Sequence, residues 1–143
     1  EHQMSIVGAN WLNEKKKNKS NKFFSEVIVY SKQLGIAGTI DLLVYNEEQN
    51  MYHLVDWKTN KKIEKSSFND KKGILQSSNH IDDCNFMHYS LQLSFYRYIL
   101  ERFYGLEVGS QTLIHLKDDS FDIHSIDYLN QDLINMLREK DLI

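Results

Sequence analysis

Runs of β-branched and aromatic residues, separated by short polar segments, fill much of the first half of the chain. They predict three strands, at residues 26–31 (EVIVYS), 36–45 (IAGTIDLLVY) and 52–58 (YHLVDWK). Leu34-Gly35 predicts a turn between the first two strands, and the polar residues 46–50 predict a hairpin loop before the third. Because that loop is short, we expect the second and third strands to pair antiparallel.

Helical spacing of apolar residues marks three further segments, which are residues 2–14, 86–104 and 128–140. Gly105 is placed to end the second of these helices. Two more strands are predicted in the second half, at residues 112–117 and 121–126.

The predicted order is therefore α-β-β-β-α-β-β-α, which indicates an α/β fold with a mixed sheet flanked by helices. Residues 59–84 are polar and lack clear periodicity, so we expect a long excursion there. The sequence contains no internal repeat and no linker.

Composition narrows the class of protein. The chain has 143 residues, of which 41% are hydrophobic and 26% charged, and this predicts a single globular domain over residues 1–143. A single cysteine excludes a disulfide framework and a four-cysteine iron–sulfur cluster built from this chain alone. The sequence contains no apolar run of about 18 residues and no signal peptide, so we expect an intracellular protein that does not bind membranes. The chain begins with Glu1 rather than Met, which is consistent with a piece of a longer protein.

The net charge of −3 conceals an uneven distribution of charge along the chain. Residues 1–72 carry 12 Lys and Arg against 9 Asp and Glu, whereas residues 73–143 carry 5 against 11. The overall basicity of a typical nucleic-acid binder is therefore absent, and the positive charge is local. One lysine-rich run lies at residues 15–22 and the other at residues 58–72; the simplest interpretation of either run is a solvated loop.

Two aspartates interrupt apolar strands, which is costly unless each is paired or bound to a cation. Asp41 lies within IDLLV, and Asp56 lies within LVDW. Since strand side chains alternate, Asp56 and Lys58 share a face, and Asp41 joins them if the two strands pair. Oxygen ligands of this kind favour Mg²⁺ or Mn²⁺, and a lysine beside such an ion suits phosphodiester hydrolysis. A buried Asp–Lys ion pair without chemistry is the alternative.

These residues form a recognisable series of motifs. The segment Gly38-Thr39-Ile40-Asp41 is followed, after fourteen intervening residues, by Asp56-Trp57-Lys58-Thr59. This pair of segments resembles the P-D-(D/E)-X-K nuclease superfamily, although the proline is missing. Downstream, the segment 92–96 (QLSFY) is similar to the Q-x-x-x-Y motif of the RecB-type branch. That branch includes the RecB nuclease domain, the CRISPR-associated RecB-like exonucleases and the mitochondrial genome-maintenance exonucleases.

The resemblance, which covers roughly residues 24–104, implies a restriction-endonuclease-like α/β/α core and a set of roles. It implies that Asp41, Asp56 and the backbone carbonyl of Trp57 ligate Mg²⁺ or Mn²⁺ and that Lys58 assists the attacking water. Because the chain has only Cys84, no iron–sulfur cluster of the kind found in some relatives is expected.

The resemblance also implies roles for residues outside the strand pair. Gln92 and Tyr96 lie on one helix face, which in the family looks onto the active site. Glu26 and His2 are further candidate metal ligands. The alternative for Glu26 is a purely structural position, and the alternative for His2 is a frayed end of the chain. We expect the second lysine-rich run to contact the phosphate backbone, through Lys61, Lys62, Lys65, Lys71 and Lys72.

The resulting hypothesis is a metal-dependent deoxyribonuclease, an exonuclease acting on DNA ends or single strands in DNA repair, replication or recombination. Its partners would be DNA and a helicase, polymerase or other module of a larger protein. Aromatic side chains near the site, namely Trp57, Tyr96 and Phe68, are candidates to stack on unpaired bases. A non-catalytic nucleic-acid-binding or scaffolding module on the same fold remains the alternative.

Overall fold

Five strands form one mixed sheet in the computed structural model, which describes residues 2–60, 62–65, 71–74 and 84–143. In chain order the sheet contains β1 (Asn21–Ser31), β2 (Ile36–Asn46), β3 (Met51–Lys58), β4 (Val108–Leu116) and β5 (Phe121–Ser125). Neighbouring strands pair antiparallel except β3 and β4, which are parallel. A parallel pair needs a long crossover, and the chain between β3 and β4 includes a helix.

The described residues contain three helices, α1 (His2–Lys16), α2 (Asn85–Phe103) and α3 (Asn130–Glu139). Trp11 of α1 packs with Leu42, Val55 and Ile114 on one face of the sheet. The opposite face packs against α2 in a larger cluster of buried residues, which comprises Val29, Ile40, Leu43, Leu54, Leu93, Tyr96, Ile99, Leu100, Val108, Leu113 and Ile126. The sheet is therefore the middle layer between α1 and α2.

The third helix adds to the α2 side of the molecule. Leu133 and Leu137 of α3 are buried with Leu34 of the β1–β2 turn, and α2 supplies Phe95 and Tyr98 to the same cluster. No helix among the described residues has both the length and the apolar character needed to span a membrane.

The predicted fold class and element order are confirmed, and the main difference lies at the start of β1. This strand begins at Asn21, five residues before the predicted start, although residues 14–22 are lysine-rich. The strand extends because Asn21 pairs with Asn46, whose side-chain amide donates to Asn21 Oδ1 at 2.8 Å, and because Phe23 packs beneath α1. Pairing with β2 therefore outweighs the preference of these polar residues for a solvated loop.

At one shared position in β1 and β2, the regular alternation of side chains between the two faces of the sheet is interrupted. Ile40 packs on the α2 face and Leu42 on the α1 face, although residues two apart in a strand normally share a face. Asp41 lies between them, and the β1–β2 register places it opposite Glu26, whose φ is 52°. Irregular strand geometry of this kind is common beside active sites, where it redirects a side chain.

Candidate active site

The two strand aspartates lie opposite each other where β2 and β3 separate. The ladder between these strands runs as far as the Leu42–Val55 pair, and its register places Asp41 across from Asp56. Beyond that point the backbone N–H of Trp57 donates to Asp41 Oδ2 at 2.9 Å instead of to a β2 carbonyl. The strand gap is therefore lined by carboxylate oxygen.

Asp56 is the most strongly perturbed of these groups. It is 6% exposed. Its pKa is raised to about 7, first by burial and then by the neighbouring Asp41 carboxyl, while Lys58 acts in the opposite direction. Two adjacent carboxylates repel each other, so the site favours either a shared proton or a cation.

Lys58 reaches this pair from the same strand. Its Nζ lies 3.1 Å from Asp56 Oδ2 and also 4.3 Å from the centre of the Tyr89 ring on α2. The ammonium is thus held between a carboxylate and an aromatic face. Asp56 Oδ2 is nevertheless buried without a well-formed hydrogen bond from the described residues, so it keeps capacity for another ligand.

Gln92 and Tyr96 interact with each other one turn further along α2. The Gln92 amide donates to the Tyr96 hydroxyl at 3.1 Å. Tyr96 lies so close to β2 that a Cβ on Gly38 would stand 2.4 Å from its ring and from its hydroxyl. The Q-x-x-x-Y helix is therefore seated on the strand that carries Asp41, which explains why a glycine precedes that aspartate by three residues.

The donor set fits a hard divalent cation. Asp41 and Asp56 offer carboxylate oxygens at one point, and among the described residues Oδ2 of Asp56 has the Lys58 ion pair but no hydrogen bond of good geometry. The N–H and C=O of one extended residue point to the same side of a strand, so the Trp57 carbonyl also opens toward the gap beside Asp41. Oxygen ligands alone favour Mg²⁺ or Mn²⁺ over softer metals.

Comparison with known proteins identifies the family. The model of the PD-(D/E)XK nuclease superfamily matches residues 2–139, nearly the entire chain. The chain belongs to this superfamily. Nucleases of the PD-(D/E)XK type use divalent metals, in agreement with the oxygen-rich gap between β2 and β3. No curated protein matches the sequence.

Two solved structures resemble this PD-(D/E)XK chain at low identity. One is the crystal structure of SSO0001, with 16% identity, a TM-score of 0.48, and coverage of 96% of this chain and 55% of that one. Another is a protein described as a candidate exonuclease from Eubacterium rectale, with 14% identity, a TM-score of 0.48, and coverage of 99% and 53%. The chain thus spans about half the length of each of these proteins.

Two other residues are predicted ligands of the PD-(D/E)XK site, namely Glu26 and His2. Glu26 is exposed on the edge strand β1, on the side of β2 away from Asp56. His2 is the first residue of α1, and its side chain lies outside what the structure describes. The ligand roles of both residues remain predictions.

Four of the five lysines expected to contact the phosphate backbone are described and exposed, namely Lys62, Lys65, Lys71 and Lys72. Lys65 lies 5.1 Å from the centre of the Phe86 ring, at the start of α2. Lys61 lies outside the described residues. The lysines therefore include at least one on the α2 face, the same face as Asp56.

The structure places the Trp57 ring on the α1 face of the sheet, opposite Asp56, and its stacking role stays a prediction. Its ring meets Trp11 edge-on, with 5.3 Å between ring centres, in the cluster under α1. Tyr96 is 8% exposed and packs in the core, and Phe68 lies outside the described residues.

The sequence analysis missed Tyr89, the aromatic residue whose ring lies against Lys58. The sequence feature that could have identified Tyr89 is its position three residues before Gln92 and seven before Tyr96, which places it on the same helix face.

Proposed function

We propose that this chain is a metal-dependent deoxyribonuclease that hydrolyses phosphodiester bonds, acting as an exonuclease on DNA ends or single strands. The observation that carries the proposal is the meeting of Asp41, Asp56 and Lys58 at the opening between β2 and β3. Superfamily membership supports nuclease chemistry, and the seated Gln92–Tyr96 pair supports the RecB-type branch.

Asp41, Asp56 and the Trp57 carbonyl would hold Mg²⁺ or Mn²⁺. When bound, such an ion polarises a phosphoryl oxygen and lowers the pKa of water. Because the Asp41 and Asp56 carboxyl groups are adjacent and Asp56 is buried, a cation there would also remove the repulsion between the two carboxylates. The loss of this repulsion makes binding of the ion more favourable.

The proposed role of Lys58 is to stabilise the charge that develops during hydrolysis. Its ammonium, positioned by Asp56 and by the Tyr89 ring, stabilises negative charge that develops on a phosphoryl oxygen as water attacks the phosphorus. The bond between phosphorus and the 3′ oxygen breaks, and water supplies both the new oxygen on phosphorus and the proton taken up by the leaving oxygen. The Tyr89 ring limits the directions in which Lys58 can turn, which reduces the entropy lost on reaching the transition state.

Cleavage of labelled DNA tests the site directly. With Mg²⁺ or Mn²⁺, the parent chain is expected to degrade DNA, and Asp41→Asn, Asp56→Asn and Lys58→Ala are each expected to lower the rate by about 100-fold or more. Matched controls are Asp141→Asn and Lys32→Ala, which change the same residue types at exposed positions. Circular dichroism confirms that the variants fold.

The outcome that would overturn the site is equal cleavage by the parent and all three site variants. Binding of DNA by the parent without cleavage under any divalent ion would instead favour a non-catalytic module.

The substrate and mode of attack are tested with matched substrates. An end-labelled linear single strand is expected to be trimmed, while a closed single-stranded circle of the same sequence is expected to resist. Cutting of the circle would contradict the exonuclease proposal while leaving the metal site intact. An RNA strand of the same sequence, cleaved as fast as the DNA, would contradict the preference for DNA.

A further inference from the structure

A second cluster of metal-binding side chains lies on the β4–β5 hairpin, outside the Asp41–Asp56 site. His115 of β4 pairs directly with Asp122 of β5, and His124 lies two residues further along β5, on the same face. One ring nitrogen from each histidine and one carboxylate oxygen of Asp122 all lie within 4.8 Å of one another. One ion could therefore be reached by all three side chains with small changes of rotamer.

His115 is already held in the manner of a metal ligand. It is 5% exposed, and its Nε2 donates to the backbone carbonyl of Asn60. A carbonyl can only accept, so Nε2 carries a proton, and in the neutral tautomer with that proton the lone pair lies on Nδ1. Metal-binding histidines almost always donate their second ring nitrogen to a carbonyl, carboxylate or water in this way.

His124 supplies the unsatisfied group. Its Nε2 is buried and has no hydrogen-bond partner among the described residues. The ring stands edge-on to Phe86, with 6.0 Å between ring centres, so its orientation is restricted. A restrained imidazole with an unpartnered buried nitrogen, beside the Asp122 carboxylate, is a candidate metal ligand.

A cation already occupies the charge-balancing position. Lys117 Nζ lies 2.7 Å from Asp122 Oδ2, and both side chains are about half exposed. The groove around them has a volume of about 280 Å³ and is also lined by Lys62 and Glu64. Lys117 can swing into solvent when a divalent ion takes its place, because its side chain is 46% exposed. The groove leaves room for a fourth ligand.

We propose that His115, Asp122 and His124 bind a Zn²⁺ ion at a site distinct from the oxygen-rich Asp41–Asp56 pair. Two imidazoles and one carboxylate form a donor set typical of zinc, with one position left for water or substrate. His115 also pairs with Lys58 across β3 and β4 and holds Asn60 just beyond it. The ion would therefore anchor the chain that leaves β3 after Lys58.

Zinc uptake is measured in a chain that carries Asp41→Asn and Asp56→Asn, so that the first site cannot contribute. Titration calorimetry with Zn²⁺ is expected to show one equivalent, and Mg²⁺ at the same concentration is expected to show no binding. Adding Asp122→Asn or His124→Gln is expected to weaken the affinity for Zn²⁺ at least about tenfold. The matched control is His88→Gln, on the exposed face of α2, which is expected to bind as the background does.

A further variant separates a true site from a structural cluster. Lys117→Met removes the ammonium that competes for Asp122, so it is expected to tighten Zn²⁺ binding. Absence of zinc uptake by the double-variant background would overturn the proposal, as would unchanged affinity in both Asp122→Asn and His124→Gln. Neither result depends on whether the chain cleaves DNA.

Discussion

At the scale of single residues, the site is built from groups that are poorly solvated and only partly satisfied. Asp56 combines burial, a raised pKa and a carboxylate oxygen without a hydrogen bond of good geometry, and each of these would be costly in a residue with a purely structural role. The Lys58 ion pair offsets part of that cost, yet it leaves one carboxylate oxygen without good geometry. This arrangement therefore supports the proposed metal-binding role of Asp56 over a purely structural one.

Gly38 illustrates how one residue positions a functional helix. Replacing it by alanine would place a Cβ 2.4 Å from the Tyr96 ring, so Gly38→Ala is expected to destabilise the protein by about 1–3 kcal/mol. Urea denaturation measures this change in stability. In a Tyr96→Leu background the clash is removed, and the same substitution is expected to cost much less.

The control for this prediction is another glycine. At Gly8, in α1, an added Cβ would meet Leu116 Cδ1 at an ordinary 3.5 Å. Gly8→Ala is therefore expected to stabilise the helix by about 0.5–1 kcal/mol. An equal destabilisation from Gly38→Ala in the presence and absence of the Tyr96 ring would contradict the proposed packing of Tyr96 on Gly38.

At the scale of elements, α2 connects the candidate site to the rest of the fold. Tyr89, Gln92 and Tyr96 face the strands that carry Asp41 and Lys58. Further along α2, Arg97 donates to the Val108 carbonyl at 2.9 Å and so attaches the helix to the start of β4. The position of α2 therefore affects both the lysine and the strand pair beside it.

Two buried serines of α2 provide a matched test of how α2 is attached to α3. Ser94 is fully buried, and its hydroxyl accepts from the backbone N–H of Leu129, before α3, at 3.0 Å. Ser94→Ala leaves that N–H without a partner and is expected to cost about 1–3 kcal/mol in the free energy of unfolding.

Ser90 differs from Ser94 because its hydroxyl donates to the Phe86 carbonyl of its own helix at 2.8 Å. That carbonyl also accepts a helical backbone hydrogen bond, so Ser90→Ala is expected to cost less than about 1 kcal/mol. Chemical denaturation compares the two variants, and equal destabilisation would show that the link between α2 and α3 contributes little.

At the scale of the whole molecule, positive charge is placed on both sides of the sheet. Lys15 and Lys16 end α1 and lie over Trp11 and Phe23, on the face opposite α2. Lys65 instead lies over Phe86 at the start of α2, on the face that carries Asp56. If DNA reaches the candidate site, the two groups of lysines will contribute unequally to binding.

Two quadruple variants with the same change in net charge test that inequality. One replaces Lys62, Lys65, Lys71 and Lys72 by Gln, and the other replaces Lys15, Lys16, Lys17 and Lys19. In an Asp41→Asn background, fluorescence anisotropy with labelled DNA is expected to show the larger decrease in affinity for the first variant. The slope of log affinity against log salt should also fall by about 0.9 for each phosphate that the variant no longer neutralises. Equal decreases would indicate non-specific attraction to the whole surface.

The sequence by itself determined the order of elements and the mixed α/β class, and the predicted pairing of β2 with β3 led to the expectation that Asp41 lies near Asp56. These features depend on local periodicity and on a short hairpin loop, both of which are written in consecutive residues. The resemblance of three short motifs to one superfamily followed from the same local information, and the match over residues 2–139 confirmed it.

Only the tertiary structure decided which side chains meet across distant segments. Tyr89 rather than Tyr96 touches Lys58, because the seating of α2 on Gly38 sets its rotation relative to β3. The His115, Asp122 and His124 cluster arises from the register of two strands that the sequence predicted without pairing their side chains. Contacts of this kind depend on helix rotation and strand register, which packing of the assembled core determines.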